Sequence, residues 1–308
     1  MDVQVILMQM IQLFLVMALG YILYTIKLLD KEMNKRLTSL ILSVTTPAMI
    51  IGSVLNTTVS QSLNNVLFVF IVGLATYIIL PIIGFIIVKM MRIPKQQQGL
   101  YIFMTVFSNI GFMGFPVMKA IFGNSAVFYT AIFNMIFNLF VFTVGNMMMS
   151  YGTGRKTHMN MKNVLSPGVI ASLIALLIYF TKLQVPDIIA STVNMIGDIT
   201  TPIAMMIIGS TLATIPIKEV FTEIRIYPYT FIKQVIVPIA IYPLLKLVIA
   251  DPLILGVTLI MLAMPVGNSA VLFATEYGGD VSVAAKNIFM TTLFSILTIP
   301  LIVALFLV

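Results

Sequence analysis

Two clusters of polar and helix-breaking residues sit inside otherwise apolar stretches. The first reads Ser108-Asn109-Ile110-Gly111-Phe112-Met113-Gly114-Phe115-Pro116. The second reads Met264-Pro265-Val266-Gly267-Asn268-Ser269-Ala270. Proline removes a backbone donor and clashes with the preceding turn, and glycine adds backbone freedom. Each cluster therefore predicts a helix broken in mid-span, with N–H groups freed at the start of the second half and an amide side chain beside them. Freed N–H groups at a helix start attract anions, so the chemistry on offer is noncovalent anion binding. Asn109, Gly111, Gly114, Pro116, Pro265, Gly267, Asn268 and Ser269 are the candidate substrate-binding residues. A pair of ordinary Pro/Gly kinks is the plainer alternative. Two breaks, each with an asparagine, favour a site.

Ionisable residues inside apolar stretches are the second signal, because they are costly there and usually functional. Asp198, Glu276, Lys233 and Lys286 are the coupling or gating candidates. Asp198 fits a proton or Na+ site, or a structural ion pair with a lysine. Lys233 and Lys286 fit a counter-charge for a substrate anion, or snorkelling to an interface. Glu276 fits a solvated helix end. Thr45, Thr46, Thr200 and Thr201 are expected to satisfy carbonyls freed by the prolines that follow them, with cavity lining as the alternative. The chain has no cysteine and one histidine, His158, which excludes thiol catalysis, iron–sulfur ligation and a His-rich metal centre. No catalytic residue, metal ligand set or cofactor is expected; H+ or Na+ near Asp198 is the only coupling ion considered. No G-x-x-x-x-G-K-[ST] phosphate loop occurs, which argues against ATP-driven pumping.

These residues must be positioned by membrane-spanning helices. Hydrophobic residues make up 60% of the 308 residues and charged ones 9%, with a mean hydropathy of +1.11. A soluble domain carries about 25% charged residues, so the class is an all-α polytopic membrane protein. Ten stretches approach the roughly 20 apolar residues a crossing needs: 3–27, 36–56, 63–91, 97–122, 125–150, 164–182, 187–213, 226–249, 252–277 and 281–307. Basic residues cluster in alternate connectors, at Lys27–Arg36, Lys89–Lys95, Arg155–Lys162 and Lys218–Arg225. That asymmetry puts those connectors inside and both termini outside, and it speaks against a nucleic-acid partner. The chain also repeats itself. Tyr24, Lys27, Leu28, Ile41 and Thr45-Thr46-Pro47 recur 155 residues later as Tyr179, Lys182, Leu183, Ile196 and Thr200-Thr201-Pro202. Gly123, Val127, Ile132 and Phe133 recur as Gly279, Val283, Ile288 and Phe289. The expected organisation is a first five-helix repeat at 1–150, a cytoplasmic linker at 151–163 and a second repeat at 164–308. Five helices per copy is an odd number, so the second copy enters the membrane inverted. Inverted repeats place a site near the bilayer midplane, at the broken and crossing helices 4 and 9.

The stretch from Ser108 to Gly123 is similar to the fourth helix of the auxin efflux carrier family, which includes plant auxin carriers and bacterial malate or malonate permeases. Pro265-Val266-Gly267 and Phe273-Ala274-Thr275-Glu276-Tyr277 resemble its ninth-helix motif. Gly197-Asp198 with the apolar run to Gly209 resembles its seventh. The resemblance covers essentially the whole chain and implies inverted five-helix repeats with crossed helices 4 and 9. It also implies that Asn109 helps to hold a substrate carboxylate. Ala270 and Thr275 stand where the plant carriers have proline and lysine, and no long hydrophilic loop divides the halves. The chain thus resembles a short prokaryotic member.

Together these features predict a secondary transporter of small organic anions in the cytoplasmic membrane, with a mono- or dicarboxylate such as malate or malonate as substrate. Helices 1, 2, 6 and 7 would form a scaffold, and helices 3–5 and 8–10 would move as an elevator. An anion channel or uniporter, and an exporter of an auxin-like aromatic carboxylate, remain open. An intramembrane enzyme lacks a convincing nucleophile–base pair, and a receptor lacks an output domain. The expected partners are the organic anion and the bilayer; a homodimer is left open.

Overall fold

The computed structural model describes residues 3–55, 63–151, 165–215 and 217–307; for residues 3–7, 9, 10, 63, 217–219 and 276 it describes the backbone alone. The connector at 56–62 and the linker at 152–164, with His158, lie outside the described residues. Among the described residues the regular elements are all helices, apart from one isolated antiparallel bridge. The helices are α1 (Val3–Thr25), α2 (Lys31–Leu40), α3 (Thr46–Gly52), α4 (Leu63–Met90), α5 (Lys95–Val106), α6 (Phe115–Phe122), α7 (Asn124–Phe140), α8 (Asn146–Ser150) and α9 (Pro167–Thr181). They continue with α10 (Asp187–Asp198), α11 (Thr200–Ala213), α12 (Ile217–Thr222), α13 (Ile226–Phe231), α14 (Val237–Val248), α15 (Pro252–Ala263), α16 (Ser269–Tyr277) and α17 (Val281–Phe306). Among the described residues, five continuous runs are long and apolar enough to cross a bilayer: Asn64–Met90, Asn124–Ser150, Asp187–Ala213, Ile226–Val248 and Val281–Phe306. Shorter apolar helices cover Ile11–Thr25, Ile110–Phe122, Pro167–Thr181 and Pro252–Ala263. The protein is an all-α, multi-pass membrane protein.

Several of the few charged side chains start helices. The Asp30 carboxylate accepts from the Met33 N–H at 2.7 Å. Asp251 accepts from Leu253 and Ile254 at 2.8 and 3.0 Å, and Asp280 from Val283 at 3.0 Å. Each satisfies donors that the first helical turn leaves without an intrahelical partner. Prolines account for three of the widened turns, the turn at Val141–Gly145 having none after it. The π-helical turns Ile41–Thr45, Ile110–Gly114 and Ile232–Ile236 are each followed, two residues on, by Pro47, Pro116 or Pro238. A proline lacks the N–H that would bond to the carbonyl four residues back, and a π turn accommodates the missing bond.

The two copies of the repeated sequence have the same local structure. Lys27 and Lys182 both adopt a left-handed conformation, with φ of 64° and 52°. In both copies the next residue bonds back five positions, Leu28 to Leu23 at 2.9 Å and Leu183 to Ile178 at 3.3 Å. Each Thr-Thr-Pro then opens a new helix, α3 at Thr46 and α11 at Thr200. The expected role of the threonines is not what is seen. The hydroxyls of Thr45, Thr46 and Thr200 are buried without a hydrogen-bond partner among the described residues. The π turn before Pro47 absorbs the strain that the Thr45 hydroxyl was expected to relieve.

Contacts group the chain into two compact units. Unit 1 holds Met1–Ile71, Ile110–Met135 and Leu165–Thr214; unit 2 holds Val72–Asn109, Ile136–Val164 and Ile215–Val308. In unit 1, α1 and α11 pack backbone to backbone through glycines. A Cβ on Gly209 would lie 1.8 Å from the Met17 carbonyl oxygen, and one on Gly20 2.1 Å from that of Met206. Gly209→Ala should therefore force α1 off α11, at about 1–3 kcal/mol. Its check is a lowered apparent Tm of the purified protein in detergent; an unchanged Tm would mean that the two helices do not need this close approach. Unit 2 is built around α5, α13–α17 and an aromatic cluster in which Phe107 meets Tyr77, Phe103 and Phe137 at centroid distances of 6.1, 4.6 and 5.4 Å.

Candidate substrate site at two interrupted helices

The predicted spans at 97–122 and 252–277 both break, and the breaks meet. α5 stops at Val106, and Phe107 turns out of the helix with φ −99° and ψ 85°. α15 stops at Ala263. Met264 takes the extended conformation, with φ −60° and ψ 146°, which a residue preceding proline favours. The unwound segments then pair through an antiparallel bridge between Ser108 and Val266. The Asn109 N–H donates to the Pro265 carbonyl at 2.9 Å, and the Gly267 N–H donates to the Phe107 carbonyl at 3.1 Å. Two helix breaks thus satisfy part of each other's backbone, as buried polar groups must. Val266 donates instead to the Thr291 hydroxyl of α17, at 3.1 Å.

Gly267 has a steric reason to be glycine. A Cβ there would lie 3.0 Å from the Ser108 carbonyl oxygen and 3.1 Å from that of Phe107. Gly111 has none, since its Cβ would meet nothing within 4 Å.

Lys233 links the two breaks. It lies on the π turn Ile232–Ile236 and is 1% exposed. Its ammonium Nζ donates to the Met264 carbonyl at 2.7 Å and to the Ser108 hydroxyl at 3.0 Å. Met264 caps the C-terminal end of α15, where a cation is favoured by the helix dipole. Of the two alternatives for Lys233, snorkelling is the one the structure overturns: the side chain is buried in unit 2 against both breaks. Among the described residues Lys233 has no carboxylate partner; the ion pairs described are Arg36–Glu32 and Lys119–Asp198. An ammonium can donate three hydrogen bonds, and two are accounted for.

Gln234 and Thr291 complete the surroundings. Gln234 is fully buried and donates to the Thr291 carbonyl at 2.8 Å. The Thr291 hydroxyl donates to the Asn287 carbonyl at 2.6 Å. Neither residue was singled out from the sequence. The available signals were the adjacent Lys233-Gln234 pair within an apolar span, and the spacing of Asn287, Thr291 and Ser295, which puts three polar side chains on one helix face.

The other sequence candidates divide between the units. Asn109, Pro265 and Gly267 come together at the bridge in unit 2, with Asn109 4% exposed. Asn268 precedes α16, its side chain making no capping bond, and the Ser269 hydroxyl is buried without a partner among the described residues. Gly111, Gly114 and Pro116 belong to unit 1, in the π turn and first turn of α6. Lys286 is half-buried on α17. The Glu276 side chain lies outside the described residues. Asp198 forms the ion pair with Lys119 of α6 within unit 1. Among the described residues no three His, Cys, Asp or Glu side chains converge as a metal site would require.

Interrupted membrane helices whose breaks meet are a feature of one class of protein, the helical solute transporters. The comparisons with known proteins agree. The model of the family described as "Membrane transport protein" matches residues 5–163 and 155–303. The chain belongs to this family, the auxin efflux carrier family that the Ser108–Gly123 and Pro265–Tyr277 motifs resembled. It is 24% identical over 302 residues to an uncharacterized transporter of Methanocaldococcus jannaschii, covering 96% of this chain and 97% of the relative. It is 25% identical over 292 residues to a Rhizobium meliloti protein provisionally named a malonate transporter, covering 91% and 89%. A second uncharacterized transporter, from Methanothermobacter thermautotrophicus, is 23% identical over 285 residues, with 92% of each chain covered. The protein is a membrane transporter of this family.

Proposed function

We propose that the protein is a secondary carrier of small organic anions, with a mono- or dicarboxylate such as malonate or malate as its substrate. Lys233 carries this reading: a buried cation joined to both helix breaks, with no carboxylate partner among the described residues. Burying an uncompensated charge costs several kcal/mol, and a substrate carboxylate beside the bridge would supply the missing counter-charge. The Asn109 amide and the Ser269 hydroxyl are the groups that would orient it. The relative named as a malonate transporter points to the same chemistry.

The carrier would work as two inverted five-helix repeats, 1–150 and 164–308, joined by the linker 151–163 on the inner side. The matching left-handed turns at Lys27 and Lys182 and the two helix-opening Thr-Thr-Pro motifs support the duplication. Ten crossings with both termini outside follow from the positions of the basic connectors. An elevator movement fits the grouping of Met1–Ile71 with Leu165–Thr214, the proposed scaffold helices. Residues 63–71 of the third span and residues 110–135 are the exceptions, since they group with that scaffold.

The test is a screen of radiolabelled carboxylates with purified protein in proteoliposomes, across imposed pH and Na+ gradients. Saturable uptake of a short carboxylate, lost in Asn109→Ala, is expected. Flux that does not saturate, or single-channel currents, would make the protein a channel instead.

A further inference from the structure

Unit 1 contains a second place where chemistry of the same kind is available, built without any residue of the bridge. A cleft of about 460 Å³ is lined by Gln12, Leu13 and Val16 of α1, by Pro116, Lys119 and Ala120 of α6, and by Asp198 with Thr201, Pro202 and Met205 of α11. Its size falls in the range of small-molecule sites, roughly 300–1,000 Å³. Its walls are apolar, and its polar groups are Gln12, Thr201 and the Lys119–Asp198 ion pair. The two partners of that pair are unequally placed. The Lys119 side chain is 29% exposed, whereas that of Asp198 is 65% exposed. Losing the contact therefore costs the two groups differently. Asp198 is the less enclosed of the two and has the space to turn away from the contact. Lys119, the less exposed partner, keeps its ammonium beside the apolar lining of the cleft, where another anion can take up the contact.

We propose that this cleft is a second binding site for a small carboxylate, in which Asp198 occupies Lys119 until the ligand displaces it. The ligand's carboxylate takes the place of the Asp198 oxygen on Lys119. Its short apolar body lies against Leu13, Val16, Pro202 and Met205, and Gln12 and Thr201 offer neutral hydrogen bonds. Asp198 is thus an internal competitor, and removing its charge strengthens ligand binding. A structural ion pair or a cation site at Asp198 has the opposite signature. The proposal rests on the reading of the protein as an anion carrier for its substrate class, but its site is separate.

The test uses the absence of cysteine from the chain. Gln12→Cys gives full-length protein a single thiol in the cleft, and malonate is the probe that protects it from a maleimide. Asp198→Asn in this background should lower the malonate concentration needed for half-protection about tenfold, and Lys119→Gln should raise it about tenfold or more, the scale of a charge-assisted hydrogen bond. Lys119→Gln combined with Asp198→Asn should behave as Lys119→Gln alone. Equal weakening by Asp198→Asn and Lys119→Gln would show a structural pair and overturn the proposal. Protection by Na+ in place of malonate, lost in Asp198→Asn, would overturn it in favour of a cation site. Asn109→Ala separates the two sites. Protection that survives Asn109→Ala while uptake is lost supports a separate cleft site. Malonate uptake by the Gln12→Cys protein without any protection of its thiol would leave the carrier reading standing and reject the cleft.

Discussion

Lys233→Met in the reconstituted protein should lower the maximal rate of carboxylate uptake about 100-fold or more while the protein still purifies as a folded species. Methionine approximates the length of the lysine stem but carries no charge. The substitution leaves the Met264 carbonyl at the end of α15 without its donor, and it removes the Ser108 contact. An unsatisfied buried acceptor costs about 1–3 kcal/mol, which lowers stability without unfolding a protein of this size. The larger loss is the counter-charge for the substrate. Two readouts separate these effects. Thermal unfolding in detergent reports the first, and uptake normalised to folded protein reports the second. Full uptake in a destabilised Lys233→Met protein would reduce Lys233 to a helix cap. Lys233→Arg is not a conservative control, because a planar guanidinium fork presents its donors in a different geometry from a compact ammonium.

Gly267→Ala is the second large effect, and Gly111→Ala is its control. Both glycines lie in a Pro/Gly-rich break, so the sequence treats them alike. The structure separates them. At Gly267 a methyl group would press on the carbonyl oxygens of Ser108 and Phe107 at 3.0 and 3.1 Å, whereas at Gly111 it would enter open space. The segments of the bridge must part to admit Gly267→Ala, stretching the two bonds that join them. A cost of about 1–3 kcal/mol is expected, together with near-complete loss of uptake. Gly111→Ala should leave both stability and uptake within about twofold, surface-like substitutions being close to neutral. The measurement is uptake rate and Tm for the two variants side by side. Equal effects at both positions would mean that helix flexibility, rather than close approach at the bridge, is what the glycines provide.

How much of this was legible beforehand can be followed residue by residue. The break at Met264–Pro265 was readable because a residue before proline avoids the helical conformation. The break at Ser108–Asn109 was readable from the glycines and asparagine that follow it. Their pairing was not, because an antiparallel bridge depends on which breaks are brought together in space and leaves no periodicity in either segment. Lys233 was visible as a charge in an apolar span, but snorkelling and burial give the same local pattern; its contact with Met264 comes from tertiary packing. Asp198 was legible as costly, whereas its pairing with Lys119 of α6 comes from tertiary packing. The Thr-Thr-Pro motifs misled for a physical reason: the chain relieved Pro47 by widening the helix at Ile41–Thr45, a solution that residue types alone do not distinguish from a threonine cap.

The fold also explains why the same short polar vocabulary serves different ends in different places. Asp30, Asp251 and Asp280 are spent on helix starts, where each satisfies backbone donors. Asp198 caps no donor and faces a cleft. Lys27 and Lys182 end helices in left-handed turns, while Lys233 ends α15 from another element.

The most direct measurement is concentration-dependent uptake of radiolabelled malonate into proteoliposomes by the unaltered protein and by Lys233→Met. Saturable uptake by the first and its loss in the second, with both proteins folded, is the expected result. Equal saturable uptake by both, or an unaltered protein that moves no short carboxylate, would contradict an anion site at the Ser108–Val266 bridge.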